Sequence, residues 1–249
     1  MREVVTSPKE LIWNEANIRG SLSERVVIDP EKTMAEFAIA MQLNYVEKTT
    51  GEKKERLLWH NVITYQPEDI ALLSTLEPRT MIEVKGRLTT SEDTWDKAKT
   101  AHIILSGDSS TLHVITSVKD TVPYAYVTLI GNVGNTPQLL YDNNSGGFAS
   151  INLAVNNKWV DKNTQDEKQR TDWHTVVVAG LKGAMFAHDH LTAGTCIQVH
   201  GKLHYEHWKD KNGVEHTKPR IFVNAMEQLK ILEFTPQKDT AAPMQQLER

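Results

Sequence analysis

The feature that most limits what this chain can fold into is that it repeats itself. Leu58-Trp59-His60-Asn61-Val62 is echoed by Asp172-Trp173-His174-Thr175-Val176, 114 residues later. At the same offset Val46-Glu47-Lys48 falls on Val160-Asp161-Lys162, Tyr45 on Trp159, Thr50 on Thr164, Lys54 on Lys168 and Arg56 on Arg170. With one residue inserted, Ile82-Glu83-Val84-Lys85-Gly86-Arg87-Leu88 falls on Ile197-Gln198-Val199-His200-Gly201-Lys202-Leu203. A register held over that distance marks two diverged copies of one unit, roughly 15–116 and 124–234. The 249 residues therefore divide into two domains of ordinary size. Residues 1–116 read as the first, with a short N-terminal extension, and 117–123 as a polar linker ending in Pro123. Residues 124–234 read as the second domain. The stretch 235–249, rich in Pro, Gln and Ala without apolar periodicity, reads as a disordered tail.

Each unit is mainly strand. In the second, Tyr126–Ile130 precedes Gly131, Ala149–Val155 alternates apolar with polar, and Trp173–Val178 is β-branched. Cys196–Leu203 and Ile221–Ile231 bring the total to about five strands. Between the third and fourth, Leu181–Leu191 lacks β-branched residues and precedes Gly194, which predicts a short helix with a glycine stop. Pro67–Leu76 fills the same slot in the first unit, and Pro67-Glu68-Asp69 places acids at a helix N-terminus. The expected fold is all-β: two tandem five-stranded OB-fold barrels, each with a short helix between strands 3 and 4.

Composition removes several alternatives. The formal net charge is −4, with 15 Lys+Arg against 19 Asp+Glu in residues 1–122 and 13 of each thereafter, so any nucleic-acid contact needs a local cationic groove rather than bulk charge. A single cysteine, Cys196, rules out a disulfide framework and a Cys-rich zinc cluster. The charged segment from Met1 to Trp13 does not read as a signal peptide, and no run reaches the roughly 20 apolar residues of a membrane span. The expected location is cytoplasmic, associated with the nucleoid.

Aromatic residues recur at matched places: Trp59 with Trp173, Tyr45 with Trp159, and Trp95 with Trp208 after a two-residue insertion. Trp159 and Trp208 sit within polar stretches, where core packing is a poor use of an indole. As a stacking platform each would contribute roughly 1–3 kcal/mol per base. Lys158, Lys162, Arg170, Lys202, Lys209 and Lys211, with Lys48, Arg56, Lys85 and Arg87 in the first unit, are the candidate phosphate contacts. His188-Asp189-His190 and the pair His204 and His207 have zinc-like spacings, but scattered acids and the distant cysteine favour surface histidines, and no metal or cofactor is expected. No phosphate-cradling loop or nucleophile elbow is present, so no catalytic role is expected. Asn143-Asn144-Ser145, followed by Gly146-Gly147, reads as a hairpin tip rather than a glycosylation site.

The run Thr128-Leu129-Ile130-Gly131-Asn132-Val133, then Pro137, Ala154 to Trp159, Thr171 to Val178, Gly194, Gly201-Lys202-Leu203 and Trp208-Lys209-Asp210-Lys211-Asn212-Gly213 resembles bacterial single-stranded DNA-binding proteins. Residues 15–116 resemble the same family more weakly, through Trp59-His60-Asn61-Val62 and Gly86-Arg87-Leu88. The resemblance implies OB folds that wrap single-stranded DNA without reading its sequence, in replication, recombination or repair, with Trp159, Trp173 and Trp208 as stacking residues. It also implies four OB folds per particle, hence a homodimer of this two-barrel chain. His60 and His174 could then lie at subunit contacts or be buried in their barrels. The family's further stacking aromatic falls on Ala179, whereas the first unit has Tyr65 there, so the two units could divide the surface. Leu140 stands before Tyr141 where the family often has arginine, which implies weaker phosphate contact at that edge. The family's acidic tip ending in Pro-Phe has no counterpart in Ala242–Arg249, which puts the usual enzyme partners in doubt. The competing reading is a primosome-like module whose barrels dock protein and bind nucleic acid weakly or as RNA.

Overall fold

The computed structural model describes residues 2–5, 13–47, 50–92, 99–117, 122–140, 146–160, 164–209, 211, 213 and 215–234, with backbone alone at 2–5, 92, 99, 159, 160, 215 and 234. The expectations placed on Lys48, Trp95, Lys162, linker residues 118–121, the hairpin tip at 141–145 and the tail at 235–249 lie outside the described residues.

The first unit contains β2 (Asn14–Ile28), β3 (Ala35–Val46), β4 (Lys53–Thr64), α1 (Pro67–Leu73), β5 (Met81–Glu92), β6 (Lys99–Leu105) and β7 (Thr111–Val114). Five of its strands close on themselves in the order β2–β3–β4–β6–β5–β2, all antiparallel except the parallel pair β4–β6. The second unit contains β8 (Tyr124–Val133), β9 (Gln138–Leu140), β10 (Phe148–Val160), β11 (Glu167–Ala179), α2 (Leu181–His190), β12 (Cys196–Lys209), β13 (Glu215–Val223) and β14 (Leu229–Phe234). It closes identically, β8–β10–β11–β13–β12–β8, with β11–β13 parallel. Two barrels with the same closure and one helix each after the third strand are tandem OB folds.

Period-two alternation builds each wall. Along β4, Leu58, His60, Val62 and Thr64 are buried, and along β11 Asp172, His174, Val176 and Val178 are. Two matched glycines show how tightly the first strand crosses the second. A Cβ on Gly20 would lie 2.4 Å from the Ala40 carbonyl oxygen, and one on Gly131 would lie 2.4 Å from that of Ala154.

Three expectations change in detail. The single strand expected over Ile221–Ile231 is two, β13 and β14, because the Gln228 side chain accepts the amides of Asn224 (2.8 Å) and Ala225 (3.0 Å) and turns Met226–Gln228 into a 3-10 helix. Helix α1 stops at Leu73 rather than Leu76, where the Ser74 and Thr75 hydroxyls bond to the carbonyls of Ala71 and Leu72. Helix α2 ends at His190, and Gly194, at φ +86°, serves the turn into β12 instead of capping the helix.

The barrels are fused rather than tethered. Strands β2 and β8 pair antiparallel from Asn14↔Leu129 to Arg19↔Tyr124, joining both barrels in one continuous sheet. An N-terminal strand, β1 (Arg2–Val5), pairs in parallel with β14 of the second unit. Among the described residues, no helix is long and apolar enough to cross a membrane.

Candidate nucleic-acid interface

In the second barrel β10 and β11 form a hairpin paired without interruption from Phe148↔Ala179 to Val160↔Glu167. Its outer face carries Asn152, Ala154, Asn156 and Lys158 from β10 and Gln169, Thr171, Trp173 and Thr175 from β11. Trp173 is 48% exposed and pairs with Ala154, so a methyl group rather than a bulky neighbour lies across the ladder. Its other support is Gly134, where a Cβ would come within 2.5 Å of the indole. The Thr171 hydroxyl donates to the Asn156 side-chain oxygen (2.8 Å), which fixes a polar, uncharged bed beside the ring. Lys158, exposed on the same face, puts an ammonium two ladder steps away.

The first barrel repeats the scaffold with different side chains. Trp59 is 49% exposed and pairs with Ala40, the equivalents of Trp173 and Ala154. Beside it on β4, however, lie Leu57 and Glu55 where the second barrel has Thr171 and Gln169. On β3 Asn44 replaces Lys158. Tyr45 and Tyr65 are also exposed, at the far end of β3 and just beyond β4. The aromatic surface is duplicated, but the first barrel's cation on this face, Lys53, lies three same-face steps from Trp59 with Glu55 between them, whereas Lys158 lies two steps from the Trp173 rung.

Trp208 is exposed near the end of β12 and stacks on His216 across the β12–β13 ladder, with ring centroids 5.3 Å apart and planes 21° apart. Lys209 and Lys211 are exposed beside it. Trp159 is a ladder residue opposite Lys168 near the tip of the β10–β11 hairpin, and its side chain lies outside the described residues. Lys202 is exposed on β12 but lies over the Tyr126 ring, 5.8 Å from its centroid, on the wall shared with β8.

Two arginines expected to flank the stacked bases are placed otherwise. Arg170 and Arg56 alternate with Trp173 and Trp59 and so leave the opposite face of their strands. Arg170 bonds to Asp172 (2.8 Å), which is 3% exposed. The Asn157 amide donates to the same carboxylate (2.6 Å), and Asn14 of the first barrel donates to the Asn157 oxygen (3.0 Å). Asn14 also replaces the last rung of the β2–β5 ladder, donating to the Leu88 carbonyl and accepting its amide. Burial holds the Asp172 carboxyl above the usual carboxylate range in spite of Arg170 and Arg87. Half-buried Arg87 faces this group from the first barrel, and desolvation lowers its guanidinium's pKa. Arg170 and Arg87 thus serve a polar seam between the barrels.

His60 and His174 are both buried. His60 meets Tyr205 of the second barrel, 3.4 Å from its hydroxyl, and burial depresses its pKa to about 4. The histidines with zinc-like spacing have other partners: His188 bonds to the Pro137 carbonyl (3.1 Å), His190 packs edge-on against Phe186 and His207 bonds to Thr217 (2.9 Å).

Sequence reading missed two features. Trp13, 49% exposed at the entrance to β2, has no tryptophan at the matched place in the second unit, so the repeat gave no reason to single it out. Tyr124 and Tyr126 form an outward aromatic row with His200, whose ring stacks on Tyr126 at 5.3 Å. The alternation of Tyr124, Tyr126 and Thr128 along β8 was the available signal.

Comparison with known proteins follows the same division. The single-strand binding protein family model matches residues 125–229. The wild-type single-stranded DNA binding protein from Thermus aquaticus is similar over 91% of this chain and 96% of its own, at 20% identity and a TM-score of 0.63. A deletion mutant of that protein gives the same identity and TM-score. A Plasmodium falciparum SSB in complex with ssDNA is 31% identical over 43% of this chain and 94% of its own, with a TM-score of 0.41. The Thermus structures share the fold across both barrels, and the family model falls on the barrel that carries Lys158, Trp173 and Trp208. Through residues 125–229 the chain belongs to the single-strand binding protein family.

Proposed function

We propose that the protein binds single-stranded DNA, coating it without reading sequence, and that the second barrel is its main grip. The observation that carries this reading is the outer face of β10–β11, where half-exposed Trp173 shares its face with Lys158 and the uncharged Gln169, Thr171 and Thr175, Asp172 being turned to the buried face and Glu167 lying farther out toward the hairpin tip. Bases stack on such a face whatever their identity, and the lysine meets the backbone. Trp208 extends the surface along β12, with Lys209 ending the strand and Lys211 just beyond it, and Trp59, Tyr45 and Tyr65 offer a weaker one on the first barrel. Trp159, Lys162 and Trp95 belong to the proposed path by resemblance to the family. Binding, with no chemical step, is the whole of the activity. Its setting is proposed to be DNA replication, recombination or repair in the cytoplasm, and its assembly a homodimer that gathers four barrels, which sedimentation equilibrium tests directly.

The test is a titration of intrinsic tryptophan fluorescence with thymidine oligomers of about 35–70 nucleotides, against duplex DNA and RNA, at low and high salt. Quenching selective for single-stranded DNA and weakened by salt is expected. No quenching at micromolar protein would sink the reading and leave the protein-docking module in its place.

A further inference from the structure

At the seam between the barrels a cleft of about 320 Å³ opens beside Trp13. Its walls are Trp13 and Glu15 from the start of β2, Lys85 and Arg87 from β5, and Ser106, Ser109 and Ser110 from the β6–β7 turn. The volume is at the lower end of what a small ligand fills, and the lining combines one indole, two cations and hydroxyls. The Lys85 ammonium is held by Glu15 (2.8 Å), so the carboxylate in the cleft is neutralised where it sits. Arg87 in the same wall also feels the charges of Asp172 and Arg170 on β11. The cleft is lined by the first barrel and adjoins the second through Asn14, also in its wall, whose amide donates to Asn157 of β10 (3.0 Å).

The other side of the seam shows that this chemistry is not a by-product of the fold. Counted from the matched glycines Gly20 and Gly131, Trp13 corresponds to Tyr124, and Arg87 corresponds to Lys202. The equivalent cleft, about 400 Å³, sets Tyr124, Tyr126, Lys202 and His204 among the apolar Met41, Leu43, Pro123 and Phe222. Its Tyr124 is already engaged: the hydroxyl donates to Glu83 (2.7 Å) and the Arg19 guanidinium lies over the ring, 4.8 Å from its centroid. One cleft has its matched ring capped and its lysine laid over a second tyrosine, whereas the other presents an indole with half its surface open.

We propose that the Trp13 cleft is a nucleotide station that carries single-stranded DNA from the second barrel to the first, with a base stacked on Trp13 and the adjoining phosphate on Lys85 and Arg87. The proposal rests on the single-stranded DNA reading above. It assigns the crossing to one side of the seam, so the strand passes the two barrels by a defined route.

The experiment uses the full chain as wild type, Trp13→Ala, Trp13→Phe, Glu15→Gln and Trp173→Ala. Each is titrated with short thymidine oligomers of about 10 nucleotides, enough for one barrel, and with oligomers of about 35. Wild type is also photo-cross-linked to an iodouracil-containing 35-mer and its adducts are mapped by mass spectrometry. Trp13→Ala is expected to weaken the long oligomer roughly 5- to 150-fold while leaving the short one unchanged. Trp13→Phe recovers most of the loss, Glu15→Gln tightens long-oligomer binding at low salt, and Trp13 carries an adduct. The Glu15→Gln gain and the wild-type adduct cannot arise from misfolding. Unchanged long-oligomer affinity in Trp13→Ala, with no adduct at Trp13 while Trp173→Ala loses affinity, overturns the station and leaves the main reading standing. A wild type that binds no single-stranded oligomer overturns both.

Discussion

Trp173 and Trp59 hold matched places in matched barrels, and the residues beside them decide what each can do. Replacing Trp173 by Ala is expected to weaken binding of a 35-mer roughly 5- to 150-fold by fluorescence titration, and replacing Trp59 to cost less, since Glu55 and Leu57 repel or ignore the backbone that Gln169, Thr171 and Lys158 accept. A Trp59→Ala loss equal to that of Trp173→Ala would refute this ranking. His60 supplies a pH dependence of different origin. The folded barrel keeps its imidazole neutral down to about pH 4, whereas in the unfolded chain it takes its proton near the ordinary 6.5. Between those values the unfolded state binds more protons, so stability falls as pH falls, by an amount on the order of 3 kcal/mol for this group. Denaturant unfolding from pH 7 to 4 should show a shallower fall in His60→Gln than in wild type; identical slopes would remove His60 as the cause. The stacking candidates were legible because tryptophans recur at the repeat offset. The roles of Arg170 and Arg87 were not, because a cation next to an aromatic in sequence lies on the opposite face of a strand, and the buried Asp172 that claims them belongs to a contact between distant segments.

At the scale of elements, the β10–β11 hairpin and the glycines under it set the working surface. Gly131→Ala would drive a methyl group to within 2.4 Å of a backbone oxygen of the neighbouring strand, which no rotamer change relieves. It is expected to destabilise the protein by about 1–3 kcal/mol in denaturant unfolding, with Gly20→Ala similar in the first barrel. Wild-type stability in either variant would mean that the strands separate more freely than the sheet implies. Strand and helix order could be read from period two and from apolar runs without β-branched residues. Element ends could not: Gln228 breaks a strand, and Ser74 with Thr75 shortens a helix, by hydrogen bonds to nearby backbone that periodicity does not register. The parallel pair that closes each barrel, β4–β6 or β11–β13, is equally silent in sequence, since it depends on strands far apart along the chain.

For the whole molecule, the seam from Leu88 through Asn14 and Asn157 to Asp172, together with the β2–β8 ladder and the His60–Tyr205 contact, predicts that both barrels unfold together. Calorimetry should give one transition in wild type, and Asn157→Ala should lower it as a unit, at a cost of about 1.5–3 kcal/mol for a lost bond to a buried carboxylate. Two separated transitions in wild type would show that the seam is weak. The repeat foretold two barrels and 117–123 a short connector between them, but not their fusion, which came from Asn14–Arg19 on β2 pairing with β8. That ladder has a consequence for affinity as distinct from stability. Two sites on a flexible tether meet a ligand at an effective concentration set by the tether, whereas two sites fixed by a shared sheet leave only the DNA to bend. Once the second barrel has seized a strand, the chance that the first captures the same strand is governed by the stiffness and length of the nucleic acid between them, and the protein contributes no slack.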